Sequence, residues 1–257
     1  MAHGSAREAP STLNGSIKLS VLMPVYNERA TLAEILRRVQ QVPVDKEIII
    51  VDNCSTDGTR EDLQAMLERG EAEAAESRGR VRVVFQEQNR GKGASVRRAL
   101  SLARGEYVIV QDADLEYDPQ DYLKLLAIAE NGRGCEAVFG TRLLPHTAAR
   151  RNQPHTPFYY GRIGLSVLFR LLYASALSDV ATCYKLMRRD LAQSLNLRGS
   201  GFELDFEIPA RLRRRGVRIA EVPISYQPRT ELEGKKIRAL RDGLRAAWTL
   251  LKYRFVE

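Results

Sequence analysis

The sequence predicts an α/β domain built on a doubly wound, mostly parallel sheet, with further helices in its C-terminal part. Three observations carry that expectation. Short runs rich in β-branched residues recur along the first 140 residues. Segments with apolar residues at helical spacing separate them, which is the pattern of successive βαβ units. The chain has 257 residues, 44% of them hydrophobic, enough to bury a real core in one large domain or two small ones.

The elements follow in order. Ile17–Met23 (IKLSVLM) is an apolar run that stops at Pro24, a buried-strand signal. Thr31–Val39 places Leu32, Ile35, Leu36 and Val39 on one helical stripe. Glu47–Val51 (EIIIV) is continuous and β-branched, as a parallel strand covered on both faces should be. A helix begins at Asp57 and runs through Leu63 and Leu67, and Glu68–Arg80 reads as a surface loop. Val81–Phe85 is a third strand, Ala94–Ala103 a helix, and Tyr107–Val110 a fourth strand that runs into Gln111-Asp112-Ala113-Asp114. Pro119 opens another helix, and Ala137–Gly140 is a fifth strand.

The pattern changes after residue 140. Residues 141–157 are polar, with three prolines, Arg142, Arg150 and Arg151, and two of the chain's three histidines, His146 and His155. A loop of that length is usually functional or mobile. Phe158–Leu177 reads as a long apolar helix, Phe202–Arg215 as a helix, Val217–Tyr226 as a strand broken by Pro223, and Lys235–Phe255 as a final helix. The chain therefore divides into a disordered tail (1–16) and two halves, 17–140 and 141–257, of one domain.

Charge follows the same division. Residues 1–130 hold 17 basic and 21 acidic side chains, whereas residues 131–257 hold 23 basic and 11 acidic ones. Such asymmetry suits a cationic ligand at one end and an anionic one at the other; solvated surface charge is the bland alternative. No run reaches the roughly 20 apolar residues of a membrane span, because Arg162 and Arg170 interrupt Phe158–Leu177. Residues 1–16 lack the apolar segment of a signal peptide. Cys54, Cys135 and Cys183 are too scattered for a zinc site or a disulfide framework, so reduced thiols and a cytoplasmic location are expected.

Open parallel sheets bind ligands beyond the carboxyl ends of their strands. Three groups fall there: Pro24-Val25-Tyr26-Asn27-Glu28, Asp52-Asn53-Cys54-Ser55-Thr56-Asp57-Gly58 and Asp112-Ala113-Asp114. Two carboxylates at i and i+2 after a buried strand repel each other, and Mg²⁺ or Mn²⁺ relieves that repulsion while accepting phosphate oxygens. Asp112 and Asp114 thus suggest a metal–diphosphate site, to which Glu116 adds a third oxygen; ordinary turn chemistry is the alternative. Asn89-Arg90-Gly91-Lys92-Gly93 precedes a helix, and its glycines and Lys92 suit an anionic group there. A merely flexible helix entry would look the same.

Taken together, these segments resemble the family 2 glycosyltransferases with a nucleotide-diphospho-sugar-binding (GT-A type) fold. Within that family the chain is similar to the polyprenyl (dolichyl) phosphate mannosyl- and glucosyltransferases. The second half carries matching segments: Gly140-Thr141-Arg142, Thr182-Cys183-Tyr184-Lys185, Gly201-Phe202-Glu203-Leu204-Asp205, Glu221–Tyr226, and Arg229 followed by Glu233–Ile237. The resemblance covers roughly residues 17–255. It implies a nucleotide-sugar-binding half (17–140) and an acceptor-binding half (141–257). Pro24, Tyr26, Glu28 and Asp52 would line the nucleoside pocket, with Lys92 and Ala113 also toward the donor. Asp112 and Asp114 would bind metal and diphosphate, with Glu116 where many relatives have Gln. Arg142, Arg162 and Ser166 would face the acceptor phosphate, and Arg229 and Lys235 would close over the diphosphate. Asn53 stands where many relatives have a second Asp, and Cys183-Tyr184-Lys185 where many have Gly-Phe-Lys.

The implied reaction is displacement at the anomeric carbon, with inversion, by a polyprenyl phosphate. A lipid phosphate, with a second pKa of about 6, needs cations around it more than a base. A hydroxyl acceptor on a saccharide or small molecule would need a base, for which Asp205 or Glu203 is the candidate. The final helix carries Leu240, Leu244, Ala247, Trp248, Leu251 and Phe255 on one stripe, with Arg238, Arg241, Arg245, Lys252 and Arg254 around it. That stripe either packs on the domain or lies in a membrane interface. Peripheral attachment to the inner face of the membrane, a membrane partner subunit, or a water-soluble acceptor are the alternatives. Nucleic acid is not an expected partner, because Asp52, Asp112 and Asp114 would repel it and basic residues do not alternate with aromatic ones.

Overall fold

The computed structural model describes residues 17–74, 80–131, 135–144, 156–229 and 239–256. The tail at 1–16, His146, His155, Arg150, Arg151, the Glu233–Ile237 segment with Lys235, Arg238 and the side chain of Leu240 lie outside what is described.

Eight strands form one sheet in the order β3-β4-β2-β1-β5-β7-β6-β8. They are β1 (Leu19–Val25), β2 (Lys46–Asp52), β3 (Glu73–Ala74), β4 (Val81–Phe85), β5 (Tyr107–Val110), β6 (Ala137–Thr141), β7 (Lys185–Arg188) and β8 (Ile219–Pro223). Neighbours pair in parallel except at β7, which runs antiparallel to both β5 and β6. The helices are α1 (Arg29–Gln41), α2 (Thr59–Glu68), α3 (Lys92–Leu102), α4 (Tyr122–Glu130, entered through a 3-10 turn at Pro119–Asp121), α5 (Pro157–Tyr173), α6 (Arg189–Ser194), α7 (Leu204–Arg214) and α8 (Ala239–Phe255).

The register explains where a ligand can sit. Val25, the last residue of β1, pairs with Asp52, the last of β2, and Leu22 pairs with Val110 of β5. The loops after β1, β2 and β5 therefore open on one edge of the sheet. All seven residues of β1 are buried, and so are the six residues Glu47–Asp52 of β2, as expected of strands covered on both faces. Buried Glu47 is tolerated because Ser20, Arg82, Arg104 and the Arg104 backbone N–H satisfy its oxygens.

Four expectations change. The Glu68–Arg80 loop contains the short edge strand β3. The strand expected over Val217–Tyr226 is confined to β8, because Pro223 lacks the N–H needed to continue the ladder. Lys185–Arg188 forms the reversed strand β7; four residues carry too little periodicity to announce themselves. The final helix packs through Ala246, Thr249, Leu250 and Tyr253, whereas Leu244, Trp248, Leu251 and Phe255 of the expected stripe are exposed.

Candidate active site

A cavity of about 710 Å³ opens at the carboxyl edge of the sheet. Pro24 lines it from the end of β1, Tyr26 and Glu28 from the loop that follows, Asn53 from the loop after β2, and Lys92 from the start of α3. Asp112, Ala113, Asp114 and Glu116 follow β5. Arg142 follows β6, Arg162 comes from α5, Asp205 from α7, and Arg229 from the segment after β8. Residues some 200 positions apart are thus brought to one hollow, to which the first half of the chain contributes Glu28, Asp112, Asp114 and Glu116.

The two aspartates of the Asp-x-Asp motif have separate cations. Lys92 Nζ lies 2.8 Å from Asp112 Oδ1. Arg229 Nη2 lies 2.6 Å from Asp114 Oδ2 and 3.0 Å from Glu28 Oε1. Burial, reinforced by the charges of Asp112 and Glu116, pushes the Asp114 carboxyl up to about 6 in spite of Arg229. Burial disfavours charge on Lys92 and on Arg229, yet their carboxylate partners outweigh it and hold both well above their ordinary values.

Glu116 is occupied differently from the sequence expectation. Its Oε1 accepts the Arg229 backbone N–H at 2.9 Å and its Oε2 accepts the Tyr226 hydroxyl at 3.0 Å. It therefore ties the segment after β8 across the site. Among the described residues no group of three or more His, Cys, Asp or Glu side chains is arranged to hold a metal ion. Asp112 and Asp114 alone offer a crowded, all-oxygen pair, which suits a hard divalent cation that takes its other ligands from water or phosphate.

The β2 loop also differs. Asp52 is fully buried and does not line the cavity: Oδ1 accepts the Ser55 N–H at 3.2 Å and Oδ2 meets Arg60 at 2.9 Å. Successive side chains of a strand alternate in direction, so the next residue, Asn53, takes the cavity side. Its amide donates to Asn89 Oδ1 at 2.9 Å and accepts the Arg90 N–H at 2.8 Å. Cys54 then turns the chain at φ 63°, while Asn27 does the same at φ 51° in the β1 loop.

The Asn89–Gly93 loop has a packing role that the sequence did not disclose. A Cβ on Gly91 would lie 2.3 Å from the Ser200 carbonyl oxygen, and one on Gly93 would lie 2.6 Å from that of Gly199. The Ser200 carbonyl also accepts the Ala94 N–H at 3.1 Å, which uses one of the helix-end donors that an anion would seek. The glycines admit the 199–201 backbone, and Lys92 remains as the cavity-facing cation.

Arg142 is buried and bidentate to Asp179, at 2.7 and 2.9 Å, and donates to Tyr117 Oη at 2.7 Å. Its guanidinium lies 4.9 Å from the Tyr226 ring, and that of Arg162 lies 5.5 Å from the same ring. Burial and then the like charge of Arg142 lower the Arg162 pKa. Ser166 does not line the cavity; its hydroxyl accepts the Val180 N–H at 3.2 Å. Asp205 lies between two lysines, 3.3 Å from Lys92 and 3.5 Å from Lys185. Burial works against its charge, but the lysines prevail and hold its carboxyl below the ordinary value, which makes a weak base. Glu203 spends one oxygen on the Ser200 and Gly201 N–H groups. Sequence reasoning missed Asp179 and Lys185 as partners; a single carboxylate inside the apolar stretch Leu177–Ala181 was the available signal for the first.

The mostly parallel sheet with its flanking helices has the α/β fold of the GT-A glycosyltransferases. The Glycosyl transferase family 2 profile matches residues 20–195, and the chain belongs to that family. It is 26% identical over 244 residues to the dolichol-phosphate mannosyltransferase of Pyrococcus furiosus, covering 92% of this chain and 64% of that one. The chain thus spans less than two thirds of that relative. It is 25% identical over 256 residues to the dolichyl-phosphate beta-glucosyltransferase of Dictyostelium discoideum, covering 93% of this chain and 75% of the relative. Glucosyl-3-phosphoglycerate synthase of Mycobacterium tuberculosis, solved with Mn²⁺, UDP and glucosyl-3-phosphoglycerate, superposes with a TM-score of 0.65 at 21% identity, over 93% of this chain and 81% of that one.

Proposed function

We propose that the protein transfers a hexose, mannose or glucose, from a nucleoside diphosphate sugar to a polyprenyl phosphate, with inversion and with a divalent metal. The observation that carries this reading is that one cavity is lined both by the Asp112 and Asp114 carboxylates and by the Arg142 and Arg162 guanidiniums. Relatives named for dolichyl phosphate acceptors support the acceptor class.

Pro24, Tyr26 and Asn53 would hold the nucleoside at the β1 and β2 loops. Asp112 and Asp114 would hold Mg²⁺ or Mn²⁺, which when bound offsets charge on the leaving diphosphate. Arg229 would exchange part of its contact with Glu28 and Asp114 for phosphate oxygens and so close over the donor. Lys235, outside the described residues, is proposed for the same closure. Lys92, 2.8 Å from Asp112 Oδ1, would orient that carboxylate. Arg142 and Arg162 would attract the acceptor phosphate, whose ionised oxygen attacks the anomeric carbon from the face opposite the diphosphate. Because that oxygen is already ionised near neutral pH, Asp205 need not accept a proton.

The test supplies sugar nucleotides, Mn²⁺ and either a polyprenyl phosphate or a saccharide. Transfer to the lipid phosphate is expected. Transfer only to a saccharide, or to a small phosphorylated hydroxy acid of the kind bound by the mycobacterial neighbour, would sink this reading.

A further inference from the structure

A single carboxylate holds both ends of the short segment Tyr226-Gln227-Pro228-Arg229, which follows β8 along the cavity wall. Tyr226 pairs with Tyr117 in an isolated antiparallel bridge, and the Gln227 N–H donates to the Glu116 carbonyl at 2.8 Å. Pro228 has no N–H, so the next backbone donor is that of Arg229. It goes to Glu116 Oε1 at 2.9 Å, while the Tyr226 hydroxyl donates to Oε2 of the same carboxylate at 3.0 Å.

The two ends meet different charges. The Arg229 guanidinium reaches the Glu28 and Asp114 carboxylates. The Tyr226 ring has the Arg142 guanidinium at 4.9 Å and the Arg162 guanidinium at 5.5 Å. A long side chain is costly to order, so a backbone already fixed beneath Arg229 leaves less freedom to lose when its guanidinium grips a phosphate. The tie at Glu116 does not require a charge. A glutamine there can accept the Arg229 N–H through its oxygen and donate its amide N–H to Tyr226 Oη, because a hydroxyl accepts as well as donates. A divalent metal would distinguish the two, since it favours a carboxylate oxygen.

We propose that Glu116 is a positioning residue for the donor: it holds the Arg229 backbone so that the guanidinium is aimed at the donor diphosphate, and the Tyr226 hydroxyl holds Glu116 in turn. This role rests on the nucleoside diphosphate sugar donor proposed above. It gives Glu116 a part other than that of a third metal oxygen. It also makes Tyr226, whose ring lies against the arginines proposed for the acceptor, a determinant of nucleotide affinity.

The full chain is titrated calorimetrically with UDP and with GDP, each with Mn²⁺, and the nucleotide that binds more tightly is carried through the variants. Glu116→Ala should weaken it about tenfold and Tyr226→Phe about threefold. Glu116→Gln should stay within about twofold of wild type, because both contacts survive. Arg229→Ala removes the side chain and keeps the backbone N–H, so adding Glu116→Ala to it should weaken binding no further. Thermal melting without ligand shows which variants are folded. Should Glu116→Ala not fold, Tyr226→Phe and Glu116→Gln decide the matter. Additive losses in the double variant would overturn the proposal. So would Glu116→Gln binding tenfold more weakly than wild type, which is the behaviour of a charged metal ligand. Unchanged affinity in either Tyr226→Phe or Glu116→Ala would overturn it too. Wild type that binds neither nucleotide would sink the proposed donor and this role with it, whereas the other adverse outcomes, in wild type that binds, would sink the role of Glu116 alone.

Discussion

The Arg229 guanidinium lies 2.6 Å from Asp114 Oδ2 and bridges it to Glu28, joining the end of the β8 segment to the first and fifth strands. Its planar fork meets Glu28 through both Nη1 and Nη2 while Nη2 also reaches Asp114, a fixed bidentate geometry that a lysine ammonium does not reproduce. Arg229→Lys is therefore expected to keep the charge and lose about 100-fold in kcat/KM for the sugar nucleotide. Steady-state kinetics check this, with circular dichroism to show an unchanged fold. Full activity in the lysine variant would contradict the proposed closure.

Asp114 sits where burial and two neighbouring carboxylates make a lone negative charge unfavourable. Asp114→Ala should abolish transfer and leave the fold intact, because the substitution also removes that crowding. The measurement is a thermal shift with sugar nucleotide, with and without Mn²⁺. Wild type should gain about 2.7 kcal/mol at a hundredfold excess over Kd, and the variant should lose the Mn²⁺-dependent part. Retained transfer would refute the proposed metal role.

Asp179 and Arg142 form a fully buried pair. Removing one member leaves an uncompensated charge, so Asp179→Asn should destabilise by about 3–5 kcal/mol at pH 7 in urea unfolding. The sign of the pH dependence follows. Burial alone would raise the Asp179 pKa, but Arg142 holds it below 3.8. Its stabilisation is thus present above pH 3.8 and is lost as pH falls through the lower folded value. The stability gap between wild type and Asp179→Asn should be constant above about pH 5 and narrow below about pH 4.

Gly91 and Gly93 face backbone carbonyls that cannot swing away. Gly93→Ala should cost about 1–3 kcal/mol through overpacking. Gly91→Ala should cost more, since its φ of 88° is also unfavourable for alanine. If these glycines served only to bind an anion, unfolding of the ligand-free protein would be unaffected.

Much of the first half was legible because parallel strands and their helices have strong local periods. β4 and β5 fall on the expected residues, and β1, β2 and β6 differ by one or two at their ends. The Asp-x-Asp motif was legible for the same reason: two carboxylates after an apolar strand must sit at a sheet edge. The second half was less so. β7 is four residues long, and its antiparallel place between β5 and β6 depends on partners more than 40 residues away. The α8 stripe was seen correctly as apolar, yet a helix with apolar residues on two faces does not say which face the body covers.

By itself, the sequence determined most strands and helices of the first half, the edge at which its motifs gather, and the division into an acidic and a basic half. Only the tertiary structure decided which member of each motif faces the cavity and what holds it. Asn53 lines it in place of Asp52, Glu116 ties down Tyr226 and Arg229, and Asp205 is held between Lys92 and Lys185. The reason is physical: local periodicity is set by neighbours a few residues apart. The direction of a buried charge is set by whichever distant groups close around it, and those meet only when the sheet is assembled.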